Sequence, residues 1–537
     1  MKKLILFILL CATGIYCKTF GQYTNDVNLN TRVSVLSDDV TGVTGMAVTN
    51  TGKAYIAYLD GYFELKLQLM DVDGYKIFDT TGITLESYVT SWTSALTTDI
   101  ITDAEENAIL AFYNWTNGVV KLFAISPAGI ILDSVSIGAG SNPQLEKLPS
   151  GDFVLAYSYG DSTTIKKLSY SAGSINIIYS KTINYFCQKM KPLPNGNIYV
   201  VSYDYTAYPG YADTYVNCIN GSNGNLLWGN WTSCSSFQNS SLYTALLSCC
   251  TDVHNNLYVS NTYFVSLNRI AYAQCIDSMG NALWGPNGTP LINDGEFNYQ
   301  QRVFSLFNNS TYELLCLING QTINNGSSTN KICYQKLSPG GIAQLGVSGV
   351  EIVSAATDAA LFGAGYCGDN VALSYISGIT GYIYATKMDL NGNFLWSPSL
   401  LALNTTSNPK PWVNALLGEI NSDQIIIAFN ETRNGHSGVY AQKAGCNGLL
   451  PTSIDGFVDN PVTLITYPNP TNGRLTIHNP GIVNPEVYIY NMVGGVVLHK
   501  WFTGAKEEID LCSLPKGIYV VKVVGTDRPL YSKIFKD

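Results

Sequence analysis

From about Thr51 to Gly448 the chain alternates short apolar runs with polar turns, and helical spacing of the apolar positions is almost absent. Leu148-Pro149-Ser150-Gly151-Asp152-Phe153-Val154-Leu155-Ala156-Tyr157 sets the pattern, a polar turn feeding a run of β-branched, aromatic and small residues. Leu193-Pro194-Asn195-Gly196-Asn197-Ile198-Tyr199-Val200-Val201-Ser202 repeats it almost position for position. The same unit recurs before Tyr55, Ile109, Leu257, Leu314, Val371 and Ile425, which makes eight copies about fifty residues apart.

A second landmark follows each first one: a strand, a glycine turn and another strand that often carries Trp. Tyr272-Ala273-Gln274-Cys275-Ile276-Asp277-Ser278-Met279-Gly280-Asn281-Ala282-Leu283-Trp284 is the clearest case, with Trp228 and Trp396 ending its echoes. Two hairpins in fixed order predict about four antiparallel strands per unit, with glycine supplying the positive φ of tight turns. Such units bury their faces on one another in a β-propeller, expected here with eight blades, or seven if the weakest copies merge. A solenoid competes less well, because helical repeats miss the composition and β-helix coils are far shorter. The isolated run Arg32-Val33-Ser34-Val35-Leu36 is expected to complete the last blade and close the ring.

After Gly448 the pattern stops. Residues 453–463 read as a linker and residues 464–537 as a compact Ig-like β-sandwich of alternating strands between Gly, Pro and Asn turns. The expected organisation is therefore a leader over 1–21, a propeller over 22–452, the linker and this small domain. Pro468-Asn469-Pro470 with Gly473, the Tyr490-Asn491 turn with Gly494-Gly495, Leu514 with Gly517 and Tyr519, and a basic end around Lys533 occur there in order. In this the segment resembles the type A C-terminal sorting domain of type IX secretion substrates. The resemblance implies transfer across a bacterial outer membrane by the type IX machinery, then release or attachment at the cell surface. It covers only the last part of the chain, so it identifies an address and no activity.

The first residues agree with export. Lys2 and Lys3 precede an apolar run from Leu4 to Leu10, and Thr19-Phe20-Gly21 places small residues for cleavage between Gly21 and Gln22. That run is shorter than the roughly 20 residues that cross a bilayer, so the mature chain is expected to lack a membrane span. With Lys plus Arg at 30 and Asp plus Glu at 39, the chain lacks the basic footprint of a nucleic-acid binder. Of 13 cysteines, Cys11 and Cys17 lie in the leader, and the odd remainder cannot all pair within one chain. Several of the rest sit in apolar runs, where a thiol behaves as a small hydrophobe.

Recognisable catalytic chemistry is scarce. His254 and His436 are the only histidines of the propeller region, with His478 and His499 in the tail, and neither phosphate-cradling nor nucleophile-elbow motifs occur. Asp71-Val72-Asp73-Gly74 and Asp389-Leu390-Asn391-Gly392 have oxygens spaced for calcium, but fall where the repeat places a hairpin turn that uses Asp and Asn anyway. Neither cofactor nor metal is expected. Trp228, Trp284 and Trp396 share one repeat position and read as anchors between blades. Tyr205, Tyr208 and Tyr211 flank Pro209-Gly210 in an insertion suited to contact with a glycan or protein. The expectation is a secreted or surface-displayed, non-enzymatic propeller for glycan or protein binding or adhesion. The alternative is an extracellular hydrolase or lyase working on polysaccharide through carboxylates in the ring's channel.

Overall fold

The computed structural model describes residues 23–34, 42–61, 63–79, 81–87, 98–204, 213–235, 247–265, 268–297, 299–324, 327–410, 416–421, 423–451, 466–478, 486–491, 495–501, 506–524 and 530–537. Gly21, Gln22, Gly494, the 453–463 segment and Tyr205, Tyr208 and Tyr211 lie outside these residues. The chain divides into two compact units, Met1–Ser453 and Ile454–Asp537. Both are built of strands, and the helical element among the described residues is a 3-10 turn at Ala355–Thr357.

In the first unit successive strands pair as antiparallel meanders. The first sheet runs Gly42–Val48, Ala54–Leu59, Leu65–Met70 and Ile83–Glu86, and four-stranded sheets follow over 98–139, 141–183 and 186–233. Residues 248–353 form one eight-stranded sheet, two such meanders joined by a single parallel bridge between Arg269 and Tyr299. A four-stranded sheet over 359–404 comes next. The closing sheet takes three strands, Leu416–Ile420, Gln424–Arg433 and His436–Gly445, from the end of the unit and its fourth, Thr31–Arg32, from the beginning. Thr31 pairs with Ala441 and Arg32 with Tyr440, while the Val33 amide continues to the Val439 carbonyl. The strand expected from Arg32 onward thus begins one residue earlier, and its expected end at Leu36 lies outside the described residues.

The first strand of each meander lies beside the first strand of the next, and Leu416–Ile420 returns to Gly42–Val48. The ring is closed. Its apolar core is divided among the seams: Ile109, Ala111 and Leu122 of one sheet meet Leu145, Phe153 and Leu155 of the next, and the other seams repeat this. Second strands are sandwiched on both faces, so Ala54–Leu59 is buried throughout. Fourth strands sit at the rim and shorten to two residues at Thr232–Ser233 and Thr289–Pro290.

The three Trp of the repeat lie between sheets. Trp228, Trp284 and Trp396 donate Nε1–H to the carbonyls of Ser278, Pro339 and Cys446 in the next meander, at 3.3, 3.0 and 3.3 Å. Each ring presses on the glycine two residues further on, and a Cβ at Gly280 or Gly341 would stand 2.7 Å from the indole, so only glycine fits. Tyr23 performs this role for the closing sheet. It is fully buried, its ring and backbone lie against Gly74, its amide reaches the Asp73 carbonyl at 2.7 Å, and the Thr24 carbonyl accepts from Gln442 Nε2 at 3.0 Å. Gln274 grips the Gly285 carbonyl after Trp284 in the same way, at 2.7 Å. Cys367 and Cys446 form a disulfide across the last seam.

In the second unit Thr466–Tyr467, Arg474–His478 and Lys506–Asp510 form one sheet, and Glu486–Asn491, Val496–Trp501, Gly517–Val524 and Leu530–Lys536 another. Leu475, Ile477, Val487, Ile489, Val521 and Ile534 from both sheets share one core.

Candidate functional site

The innermost strands carry ionisable side chains at matching heights. Turns open at Leu148, Leu193, Asp252 and Asn421, and two residues ahead of them stand Glu146, Lys191, Cys250 and Glu419. Two residues deeper on the same strands come Gln144, Lys189 and Ser248, with Asp99 at that height on Thr98–Thr102. The wall of the ring thus mixes carboxyls, ammonium groups and thiols. A cavity of about 280 Å³ opens at this level, bordered by Met46, Ile101, Lys147 and Glu419.

Asp99 is structural. Its carboxylate accepts from the Leu145 amide of the next sheet at 2.8 Å and from the Ile100 amide at 3.0 Å, while burial raises its pKa against these bonds and the Lys189 charge. Glu146 and Glu419 make no such backbone bonds among the described residues. Burial pushes Glu146 up to about 7, with Lys191 opposing and Asp99 assisting. Glu419 is also pushed up to about 7, by burial first and the Asp99 charge second. Its side chain is exposed to the ring, yet neighbouring protein crowds it closely enough to disfavour the charged form. Both therefore exchange protons near neutrality. Burial pushes the Cys249 thiol up to about 11 and Cys250 well above its ordinary value, which keeps both protonated and weakly nucleophilic. No sequence motif marks this layer; its only signal is a charged residue two positions before a turn in an otherwise apolar strand.

The carboxylates considered for calcium serve turns. Asp71 Oδ1 accepts from the Asp73 and Tyr75 amides at 3.0 and 2.8 Å, and Asp389 Oδ1 accepts from the Asn391 and Asn393 amides at 2.8 and 2.9 Å. Among the described residues no three side chains gather as a metal site. His254 is exposed in its turn and stacks on Tyr312, with ring centroids 5.8 Å apart, and His436 opens the strand His436–Gly445.

In the second unit the motif residues hold the sheets together. Pro468 and Pro470 bracket Asn469, whose Nδ2 donates to the Lys533 carbonyl at 2.7 Å and whose Oδ1 accepts from the Phe535 amide at 2.8 Å. Gly473 passes so close to Cys512 that a Cβ would meet Sγ at 2.5 Å. The Gly495 amide donates to Asn491 Oδ1 at 2.8 Å, and the Leu514 amide to the Leu511 carbonyl at 2.9 Å. Gly517 starts its strand opposite Lys536, and buried Tyr519 donates its hydroxyl to the Pro515 carbonyl at 2.7 Å. Lys533 pairs across to Val520 and lays its ammonium 4.9 Å from the Phe535 ring centre. Sequence reasoning placed these residues without revealing that Asn469 clamps the last strand.

Among solved structures, the chain is similar to Sqt1 of Saccharomyces cerevisiae at 10% identity and TM-score 0.47, over 79% of this chain and 99% of that one. It is similar to a polysaccharide lyase described as an ulvan lyase at 11% identity and TM-score 0.44, over 81% and 97%. It is also similar to the Dos1 propeller at 10% identity and TM-score 0.44, over 78% and 95%. No curated protein matches the chain. No helix among the described residues is long and apolar enough to cross a membrane. Residues 466–537 match the family of secretion system C-terminal sorting domains, so the chain carries at its C-terminal end a type IX secretion sorting domain.

Proposed function

We propose that this is a secreted or surface-attached protein that leaves the cell through type IX secretion and binds an extracellular glycan or protein through its ring. In this reading the leader is cut between Gly21 and Gln22, residues 22–452 form an eight-bladed propeller with the eight-stranded sheet counting as two blades, and 453–463 link it to an Ig-like type A sorting domain over 464–537. The sorting-domain match carries the reading, because it addresses the ring to a space where polymers of sugars and other surface proteins are the available ligands. The mixed layer of Glu146, Lys191 and Glu419 supports it, since such a wall offers both donors and acceptors to a polar ligand. The test is an array of glycans and a pull-down from surface extracts with the full chain, on which reproducible capture of a defined class is expected and its absence from both refutes the reading.

One observation favours a second reading. Glu146 and Glu419 stand at one height on the inner strands and burial pushes each up to about 7, so each is a candidate for the proton transfers of a polysaccharide hydrolase or lyase. Turnover of a polysaccharide that disappears in Glu146→Gln or Glu419→Gln establishes this reading; a full screen without turnover removes it.

A further inference from the structure

Two seams of the ring share a backbone frame and differ in the side chains set on it. Where the first sheet meets the second, Thr51, Lys53 and Tyr55 of the first turn and strand face Glu106 of the neighbouring turn. Lys53 Nζ lies 2.8 Å from Glu106 Oε2, Thr51 Oγ1 donates to Oε1 at 2.5 Å, and the Tyr55 hydroxyl donates to the Glu106 carbonyl at 2.9 Å. The long side chains pair across the seam.

Where the sheet over 186–233 meets the eight-stranded sheet, the corresponding positions are Asn195, Asn197, Tyr199 and Asn255. The backbone frame is the same: Tyr199 donates to the Asn255 carbonyl at 2.6 Å, and Asn255 and Glu106 share a φ of 64°. The side chains are not. Three short neutral amides replace a hydroxyl and an ion pair, and a cavity of about 320 Å³ remains.

The cavity is chemically addressed. Asn255 borders it, and its Oδ1 is buried with no hydrogen-bond partner among the described residues, a costly state for an amide oxygen. Asn195 Oδ1 is taken by the Asn197 amide at 3.0 Å and Asn197 Oδ1 by the Gly221 amide at 3.2 Å, which leaves both NH₂ groups to donate. Trp228 gives the cavity a half-buried aromatic side, held in place by its bond to Ser278, and Met279 stands at the mouth with 79% of its surface exposed. Among the described residues no charged one lines it. Asp252 and Asp277 lie close enough to raise the Tyr199 pKa, though burial is the larger cause, so the local field opposes an anion.

We propose that this cavity binds one neutral sugar ring, a hexopyranose unit of a glycan. Adjacent hydroxyls of such a ring both donate and accept, which matches the amide donors of Asn195 and Asn197 beside the unpartnered amide oxygen of Asn255, and its C–H face suits Trp228. The volume lies at the small end of ligand cavities and accommodates one ring, not an oligosaccharide. The proposal rests on the extracellular-binding reading and names the ligand class and place.

The test grafts the paired seam onto the open one. Full chain carrying Asn195→Thr, Asn197→Lys and Asn255→Glu receives a set of side chains that already coexists on this backbone frame. Wild type and graft are titrated with glucose, galactose, mannose and glucuronate by ligand-observed NMR. Wild type is expected to bind at least one neutral hexose and to bind glucuronate at least tenfold more weakly, and the graft to lose affinity at least tenfold at unchanged melting temperature. Asn195→Ala, on an exposed side chain, is expected to weaken binding several-fold and keeps the test decisive if the graft folds poorly. Wild-type preference for glucuronate, or hexose affinity unmoved by Asn195→Ala and the graft, overturns the proposal. Capture of polymers on the array without any hexose response removes this cavity and leaves the broader reading standing, whereas no capture at all removes both.

Discussion

Tyr23 offers the sharpest test of how the ring closes, because two substitutions at one position should move stability in opposite directions. Its ring fills the seam that tryptophans fill elsewhere and is fully buried beside Val43, Met46, Ile56 and Met70. Tyr23→Ala removes an aromatic ring from a packed interior, which costs about 3–5 kcal/mol. The hydroxyl is another matter. It is buried without a partner among the described residues, and an unmet buried hydroxyl costs about 1–3 kcal/mol. Tyr23→Phe keeps the ring and discards that cost, so it should stabilise by about 1 kcal/mol or more. The assay is urea unfolding followed by tryptophan fluorescence and circular dichroism, read as free energies where the two transitions coincide. A Tyr23→Ala loss below about 1 kcal/mol would show that the first residues of the ring are an ornament on an already closed structure. A Tyr23→Phe loss of the same size would show that the hydroxyl is satisfied.

Four further outcomes follow from the structure. Replacing Cys367 and Cys446 by Ser opens a cross-link of sequence separation 79 and should cost about 4.5 kcal/mol by the chain-entropy relation, measured by thermal unfolding with and without reductant. Burial holds Glu146 and Glu419 near 7 in place of 4.5, so the folded state binds protons more tightly and stability falls as pH rises from about 4.5 through about 7. Glu146→Gln and Glu419→Gln should each flatten that slope and be more stable than wild type at pH 8. Glu431 is fully buried between Lys410, at 3.1 Å, and Arg433, and Glu431→Gln should cost about 3–5 kcal/mol by removing the one negative charge that two cations share, again by urea unfolding. Deleting residues 464–537 should leave the protein inside the outer membrane, and undiminished surface display, read by fractionation and immunolabelling, refutes the sorting role.

What could be read from the chain was what repeats locally. The turn before Phe153 and the turn before Ile198 announce themselves through Pro, Gly and alternating apolar residues, and both form as expected. The shortest rim strands, Thr232–Ser233 and Thr289–Pro290, are hidden because two residues show no periodicity. Contacts between repeats are hidden for another reason. Nothing near Trp284 in the chain says that Gly341 must be bare to receive it, or that Cys367 will meet Cys446, because those distances depend on how sheets stack. The open seam at Asn255 is legible only by laying one repeat over another after the stacking is known. In the tail the motif spelled out the family, while the grip of Asn469 on Phe535 emerged only from the strand order.

The disulfide has a mechanical consequence. Traction applied to the tail, as an export motor would apply it, enters the first unit at residue 451, just beyond Cys446. A terminal strand pulled from its end peels one backbone bond at a time, but here the load passes at Cys446 into a covalent knot with Cys367, and the 78 residues between them are shielded from the pull. The ring can therefore be towed by its end without being unzipped from it, and a cargo bearing serines at both positions should tear where the native one holds.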